Sequence, residues 1–347
     1  MRKRHFLFAS VLALLCSSGA LHAQDFKLTS SGYFKNQGVD VMAFDDIYPE
    51  GHQGGVCIIM NGHRVATNGD IRLEATPGQW QPVPKQLDRK LSDNSITATL
   101  CYPDSSRHLT GFNPMIYPDL HLIYTVQVES KGKHIEVTVD LDRPIPQEFI
   151  GKVGFNLEFF PGSLFGKPWI MDGQSGIFPQ QPNSPLMTTQ PNYLHTGNYH
   201  DGKQSLADMD KLIGKGYSPI VADDIISEPY AKGRKFTSRP DDPYNKVTIE
   251  SLSGDLQLFD GRMNHNNGWF VLRSNIKPGV TKGAVKWIIT PNVVADWMYQ
   301  PVIQTSQIGY HPTQDKEAVI EMDIRDNRKE TCLLYTSPSP RDSTSSR

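Results

Sequence analysis

The chain has 347 residues, 38% of them hydrophobic and 10% aromatic, with 35 Lys and Arg against 37 Asp and Glu. Such a chain can bury a large core and lies far from the composition of disordered proteins. A formal charge of −2 offers no polyanion-binding surplus, so nucleic acid is not an expected partner.

Arg2, Lys3 and Arg4 precede an apolar run over 6–16 and then the small and polar stretch SSGALHAQ. A basic start, a short apolar core and small residues form a secretory signal, with cleavage expected after Ala23 or Ala20. The run is too short to cross a bilayer. An exported protein, periplasmic or extracellular, with no membrane span after removal of 1–23 is the expectation. Leu14 and Leu15 stand before Cys16 where a lipoprotein signal needs a small residue, so no lipid anchor is expected. Without Arg2, Lys3, Arg4, Arg341, Asp342 and Arg347, the remaining 24–331 carries a charge of −6.

From there the dominant period is two, as in half-buried strands. CIIM and RVAT flank Asn61-Gly62, a pair suited to the positive backbone angles of a type I′ hairpin turn. Further strands are expected over 70–76 (DIRLEAT), 95–102 (SITATLCY) and 120–128 (LHLIYTVQV). LIYTVQVES and HIEVTVDLD around Lys131-Gly132-Lys133 predict a second hairpin. Later strand candidates are 152–160, 246–251, 256–259, 269–274 and 284–290, separated by turn residues at short intervals. A helix capped by Ser205 is expected over LADMDKLIGKG, ending at Gly214 or Gly216. The stretch 161–192 is rich in Pro, Gly, Gln and Asn and shows no period, so irregular structure is expected there. The pattern predicts an all-β protein, a large β-sandwich over 24–300 with a domain boundary near Pro301.

Chemistry is harder to place. Cys57 and Cys101 lie in strand patterns; export permits a disulfide between them, and two separately buried thiols fit as well. Neither has a second cysteine at short spacing, so no zinc site is expected. Asp172, Asp223, Asp224 and Glu228 are loop carboxylates whose spacing does not show whether any two converge, and such residues commonly cap turns. His195, His200 and Asp201 in HTGNYHD match no metal signature, so neither metal nor cofactor is expected. There is no phosphate loop and no nucleophile elbow. Exposed rings are the better lead. Trp169, Tyr193, Tyr199 and Trp269 lie in or beside turn-rich stretches, where a flat ring can stack on a sugar while polar neighbours such as Asp172 bond its hydroxyls. In a strand such as GWFVLRS, core packing of Trp269 is the competing reading.

Residues 306–323 read SQIGYHPTQDKEAVIEMD. Gln307, Gly309, Tyr310 and Pro312, followed by Lys316 and the apolar Ala318, Val319 and Ile320, resemble the opening of the immunoglobulin-like module that precedes the catalytic domain in glycoside hydrolase family 9. The preceding region, with GGVCIIMNGHRVATNGDIRLE, GKVGFNLEFFPG and NHNNGWFVLRS, is similar to the large N-terminal β domain of exported Bacteroidetes-type members. The resemblance implies an inverting, endoglucanase-like parent enzyme acting on β-linked polysaccharide. In it, an α/α barrel downstream carries the catalytic acid and base, so no catalytic residue maps onto this chain.

The segment 332–342, CLLYTSPSPRD, resembles the in-frame translation of a sequencing adapter, with a Ser/Pro-rich linker as the bland alternative. The adapter reading implies a start of an immunoglobulin-like domain at 301–331, a foreign tail at 332–347, and a catalytic domain missing in cis. The expectation is a non-catalytic N-terminal fragment, inactive by itself, whose partners are a polysaccharide and that missing domain. The alternative is a stand-alone exported glycan-binding β-sandwich. A sandwich enzyme using the loop carboxylates or histidines is the weakest reading.

Overall fold

The computed structural model describes residues 25–45, 54–74, 76–77, 84–102, 120–182, 227–263 and 268–323. In chain order, β1 (Lys27–Leu28), β2 (Phe34–Asn36), β3 (Val39–Ala43), β4 (Val56–Met60) and β5 (His63–Leu73) form an antiparallel meander in a first sheet. A second sheet then takes β6 (Lys85–Leu91), β7 (Ser95–Cys101), β8 (Ile123–Lys131) and β9 (His134–Leu141). The chain next alternates. β10 (Val153–Phe159) returns to the first sheet, β11 (Pro168–Met171) and β12 (Gln174–Ile177) join the second, and β13 (Ala231–Gly233) the first. β14 (Lys235–Ser238) and β15 (Val247–Ser251) join the second, β16 (Leu256–Asp260) and β17 (Phe270–Asn275) the first, and β18 (Val285–Pro291) the second.

Among the described residues each sheet has nine strands, in the orders β1-β2-β3-β4-β5-β10-β17-β16-β13 and β12-β11-β14-β15-β18-β9-β8-β7-β6. The chain is all-β, a large β-sandwich. A separate two-stranded sheet pairs β19 (Val302–Thr305) with β20 (Ala318–Glu321).

Local sequence explains the turns. Asn61 (φ 53°) and Gly62 (φ 82°) both take positive φ between β4 and β5, as a type I′ hairpin requires. Asp172 (φ 44°) and Gly173 (φ 84°) do the same between β11 and β12. That Asp-Gly hairpin lies inside 161–192, where the lack of period predicted irregular chain, and is a correction to that expectation. β5 is a second correction: the hairpin arm RVAT and the separate strand DIRLEAT are one strand of 11 residues. The Asn-Gly pair at 68–69 reads as a break, but Asn68 (φ 55°) sits where the β5 to β10 register shifts, at a β-bulge. The helix expected over 206–216 lies outside the described residues.

Alternation decides the core. Phe155, Leu157 and Phe159 of β10 face the second sheet, where Phe155 meets Trp287 edge-on at 4.9 Å and Phe159 meets Phe236 at 5.7 Å. Trp287 satisfies its indole N–H by donating to Ser274 Oγ at 3.0 Å. The same parity answers the cysteine question. Val56, Ile58 and Met60 of β4 join the interior cluster and Cys57 does not; Ile96, Ala98 and Leu100 of β7 join it and Cys101 does not. The two thiols thus lie on opposite sheets, both buried, and the candidate disulfide does not form. Truncating the inter-sheet contact by Phe155→Ala should lower unfolding free energy by about 3–5 kcal/mol, read as a lower denaturant midpoint with an unchanged slope.

Candidate functional site

The sequence-predicted sugar contacts disperse. Trp169 of β11 is buried and its ring lies on Gly176, where an added Cβ would come within 2.4 Å of the indole. It is a core residue, unavailable to a ligand. Asp172 accepts hydrogen bonds from the backbone N–H groups of Arg234 and Lys235, so its carboxylate ties β11 to β14 instead of facing a substrate. Trp269 is half-buried edge-on against Phe160 at 4.4 Å. Tyr193, Tyr199, His195, His200, Asp201, Asp223 and Asp224 lie outside the described residues. Gln307, Gly309, Tyr310 and Pro312 fall in the connection between β19 and β20, where Gly309 has φ 80° and the Tyr310 hydroxyl donates to the carbonyl of Glu317. Among the described residues no cluster of three or more His, Cys, Asp or Glu is arranged to hold a metal, and no helix is long and apolar enough to cross a membrane.

Two arrangements emerge that residue spacing did not reveal. The first is an aromatic cleft of about 520 Å³ where the sandwich meets the segment leading to β19. Its floor is the Asn61-Gly62-His63 turn, one wall is Tyr244, and the other is 296–300 with Val302. Close glycine contacts build it. Trp297 lies on Gly38 (φ 67°), whose missing Cβ would approach the indole to 2.6 Å, and Tyr299 lies on Gly62, whose missing Cβ would approach that ring to 2.9 Å. Any side chain at either position would push the rings away and would also strain a positive φ.

Hydrogen bonds fix the rest of the cleft. Gln37 Nε2 donates to the Trp297 carbonyl at 2.9 Å, Asn292 Nδ2 to the Pro243 carbonyl at 2.7 Å, and Asn61 Nδ2 to the Tyr244 carbonyl. The Tyr299 N–H donates to Asp323 Oδ2 at 2.9 Å, beyond the end of β20. Tyr244 is positioned by its own N–H, which donates to Asp242 Oδ1 at 2.9 Å. The alternating aromatics of DWMYQ, just before Pro301, were the available sequence signal.

The second arrangement is a buried ionic network on the first sheet. Glu74, Asn156 and Arg273 interlock: Arg273 Nη1 donates to Glu74 Oε1 at 3.3 Å and to Asn156 Oδ1 at 3.1 Å, and Asn156 Nδ2 donates to Glu74 Oε1 at 2.6 Å. Asn68 Nδ2 donates to Glu158 Oε2 at 2.7 Å, and Tyr124 of the second sheet donates to Asp70 Oδ1 at 3.0 Å. Arg72 is buried among them and its charge is supported by Glu158 and Asp70. Asp70, Glu74, Asn156 and Arg273 are each at most 1% exposed. The polar alternation Asn68, Asp70, Arg72, Glu74 was the signal, but in sequence it reads as an ordinary solvent-facing edge.

Charge balance governs this network. Among the described residues, three carboxyls (Asp70, Glu74, Glu158) face two guanidiniums (Arg72, Arg273), which leaves one buried negative charge in excess. Burial pushes the Asp70 and Glu74 carboxyls up to about 7 each, against the opposing pull of the arginines. Both groups therefore hold protons more tightly folded than unfolded. Their stabilising contribution is complete below their ordinary values of 3.8 and 4.5 and is lost as pH rises through about 7. The melting temperature should accordingly fall between pH 5 and pH 8, and Asp70→Asn should flatten that dependence, as followed by circular dichroism melts across the range.

With this geometry in place, comparison with known proteins adds little. No family model matches the chain, and no curated protein matches it. Among solved structures, a galactose mutarotase-like protein from Lactobacillus casei ATCC 334 aligns over 74% of this chain and 98% of its own at 11% identity and a TM-score of 0.37. The Slr1438 protein from Synechocystis sp. PCC 6803 aligns over 77% of this chain and 96% of its own at 12% identity and a TM-score of 0.32. Likenesses this distant carry no argument about function, and the sandwich assignment rests on the strand pairing itself.

Proposed function

We propose that the chain is the non-catalytic N-terminal portion of an exported protein acting on β-linked polysaccharide, and that its sandwich is a platform holding the next domain in a fixed orientation. The observation that carries this reading is the clamped joint. Trp297 and Tyr299 are seated on the glycines of two hairpin turns, and the Tyr299 backbone is tied to Asp323 at the far end of the following hairpin. A flexible tether would need none of these contacts.

The β19–β20 hairpin supports the same reading. Ile303 (70% exposed), Val319 (64%) and Ile320 (41%) stand on a sheet of two strands, and such a hairpin is marginal without further strands to cover its apolar side chains. That is the expected beginning of a second, immunoglobulin-like sandwich, in keeping with the Gln-x-Gly-Tyr-x-Pro turn. A catalytic domain following that module would supply the hydrolysis, and this chain would supply placement. A stand-alone glycan-binding protein is the second reading, favoured by the aromatic cleft.

The platform reading predicts no release of reducing sugars from β-glucan by the purified chain. It also predicts that Trp297→Ala opens the joint, so that limited proteolysis cuts the 292–302 segment faster while the sandwich fragment stays intact. Robust turnover by the purified chain, or unchanged cleavage in the variant, would overturn it.

A further inference from the structure

We infer that the cleft at the joint is a binding site for a short, neutral, glucose-configured β-linked oligosaccharide. This goes beyond the platform role, since a joint can be rigid with an empty cleft. At about 520 Å³ the cleft falls within the roughly 300–1,000 Å³ of small-ligand sites.

Its walls select the chemistry. Trp297 and Tyr299 stand at 72° to each other with centroids 6.2 Å apart, and Tyr244 has 49% of its surface exposed. Three rings in one lining suit a ligand with apolar faces that can stack on them. An all-equatorial pyranose is such a ligand, because its axial C–H groups cover both faces of the ring while its hydroxyls radiate from the edge. His63, Asp296 and Gln300 present exposed polar ends around the rim, where those hydroxyls would lie.

Charge narrows the class further. No Lys or Arg lines the cleft, and Asp296 supplies an anion. A uronate or sulfated sugar would meet that carboxylate without a compensating cation, so a neutral chain is the fitting ligand. Galacto-configured sugars carry an axial hydroxyl that interrupts one apolar face, which removes one surface for stacking on a ring.

Isothermal titration of the purified chain with cellotriose, galactotriose and trigalacturonic acid tests the inference. Cellotriose should bind more tightly than either of the others. Tyr244→Ala is the informative variant, because that ring is half-exposed and outside the clamp, so its loss should leave the fold intact by circular dichroism. It should weaken cellotriose by about tenfold, and Gln300→Ala should weaken it by a smaller factor. Absence of heat with cellotriose, tighter binding of trigalacturonic acid, or equal affinity in the Tyr244→Ala variant would overturn the site. A chain whose linker resists proteolysis but which binds no cellotriose would retain the platform role and lose this one.

Discussion

One constraint organises the molecule: among the described residues two nine-stranded sheets share a single apolar layer, so the strands that cover it must send alternate residues into it. The contact between Phe155 and Trp287 lies in that layer, and the parity it imposes settles matters far from it. Cys57 and Cys101 are one residue out of phase with their apolar neighbours, so each is directed to the outer face of its own sheet. The same half-period places Asn156 beside Glu74 and Arg273 instead of among the phenylalanines.

The first sheet departs from an ordinary apolar sandwich layer. It holds charged groups nearly sealed from solvent, and burying them costs several kcal/mol per ion unless every lone pair and N–H is answered. Arg273 meets that condition by bonding four acceptors, on Glu74, Asn156 and Asn275 side chains and on the Glu74 carbonyl. Asp70 does not, since its Oδ2 has no hydrogen-bond partner. Burial with one oxygen unanswered makes this carboxyl retain its proton more readily, which relieves the network's excess negative charge.

Much of the fold was legible in sequence, for definite reasons. Strands β7, β8, β9, β10, β15, β17 and β18 announce themselves through β-branched and aromatic alternation, and Asn61-Gly62 through the backbone angles that pair accepts. The short strands β1, β2, β13 and β14 carry too few residues to show a period. Asn68-Gly69 misleads because the pair that suits a turn also suits a bulge. Binding residues were less legible. An exposed-looking tryptophan such as Trp169 proves buried because Gly176, on the neighbouring strand, leaves room for its ring, and that pairing cannot be read along the chain. Trp297 and Tyr299 depend likewise on glycines more than 200 positions away.

The alternation of β10 to β18 between the sheets has a consequence for how the protein reaches its structure. The first sheet cannot be completed until β17 is made, and the second cannot be completed until β18 is made. Neither half is therefore a self-sufficient unit. Pairings such as β5 with β10, or β9 with β18, close loops of many tens of residues before their contacts repay the entropy. Chains built this way fold slowly and as a whole. A nascent polypeptide would thus keep the apolar faces of its early hairpins uncovered until nearly all of the sandwich had been made.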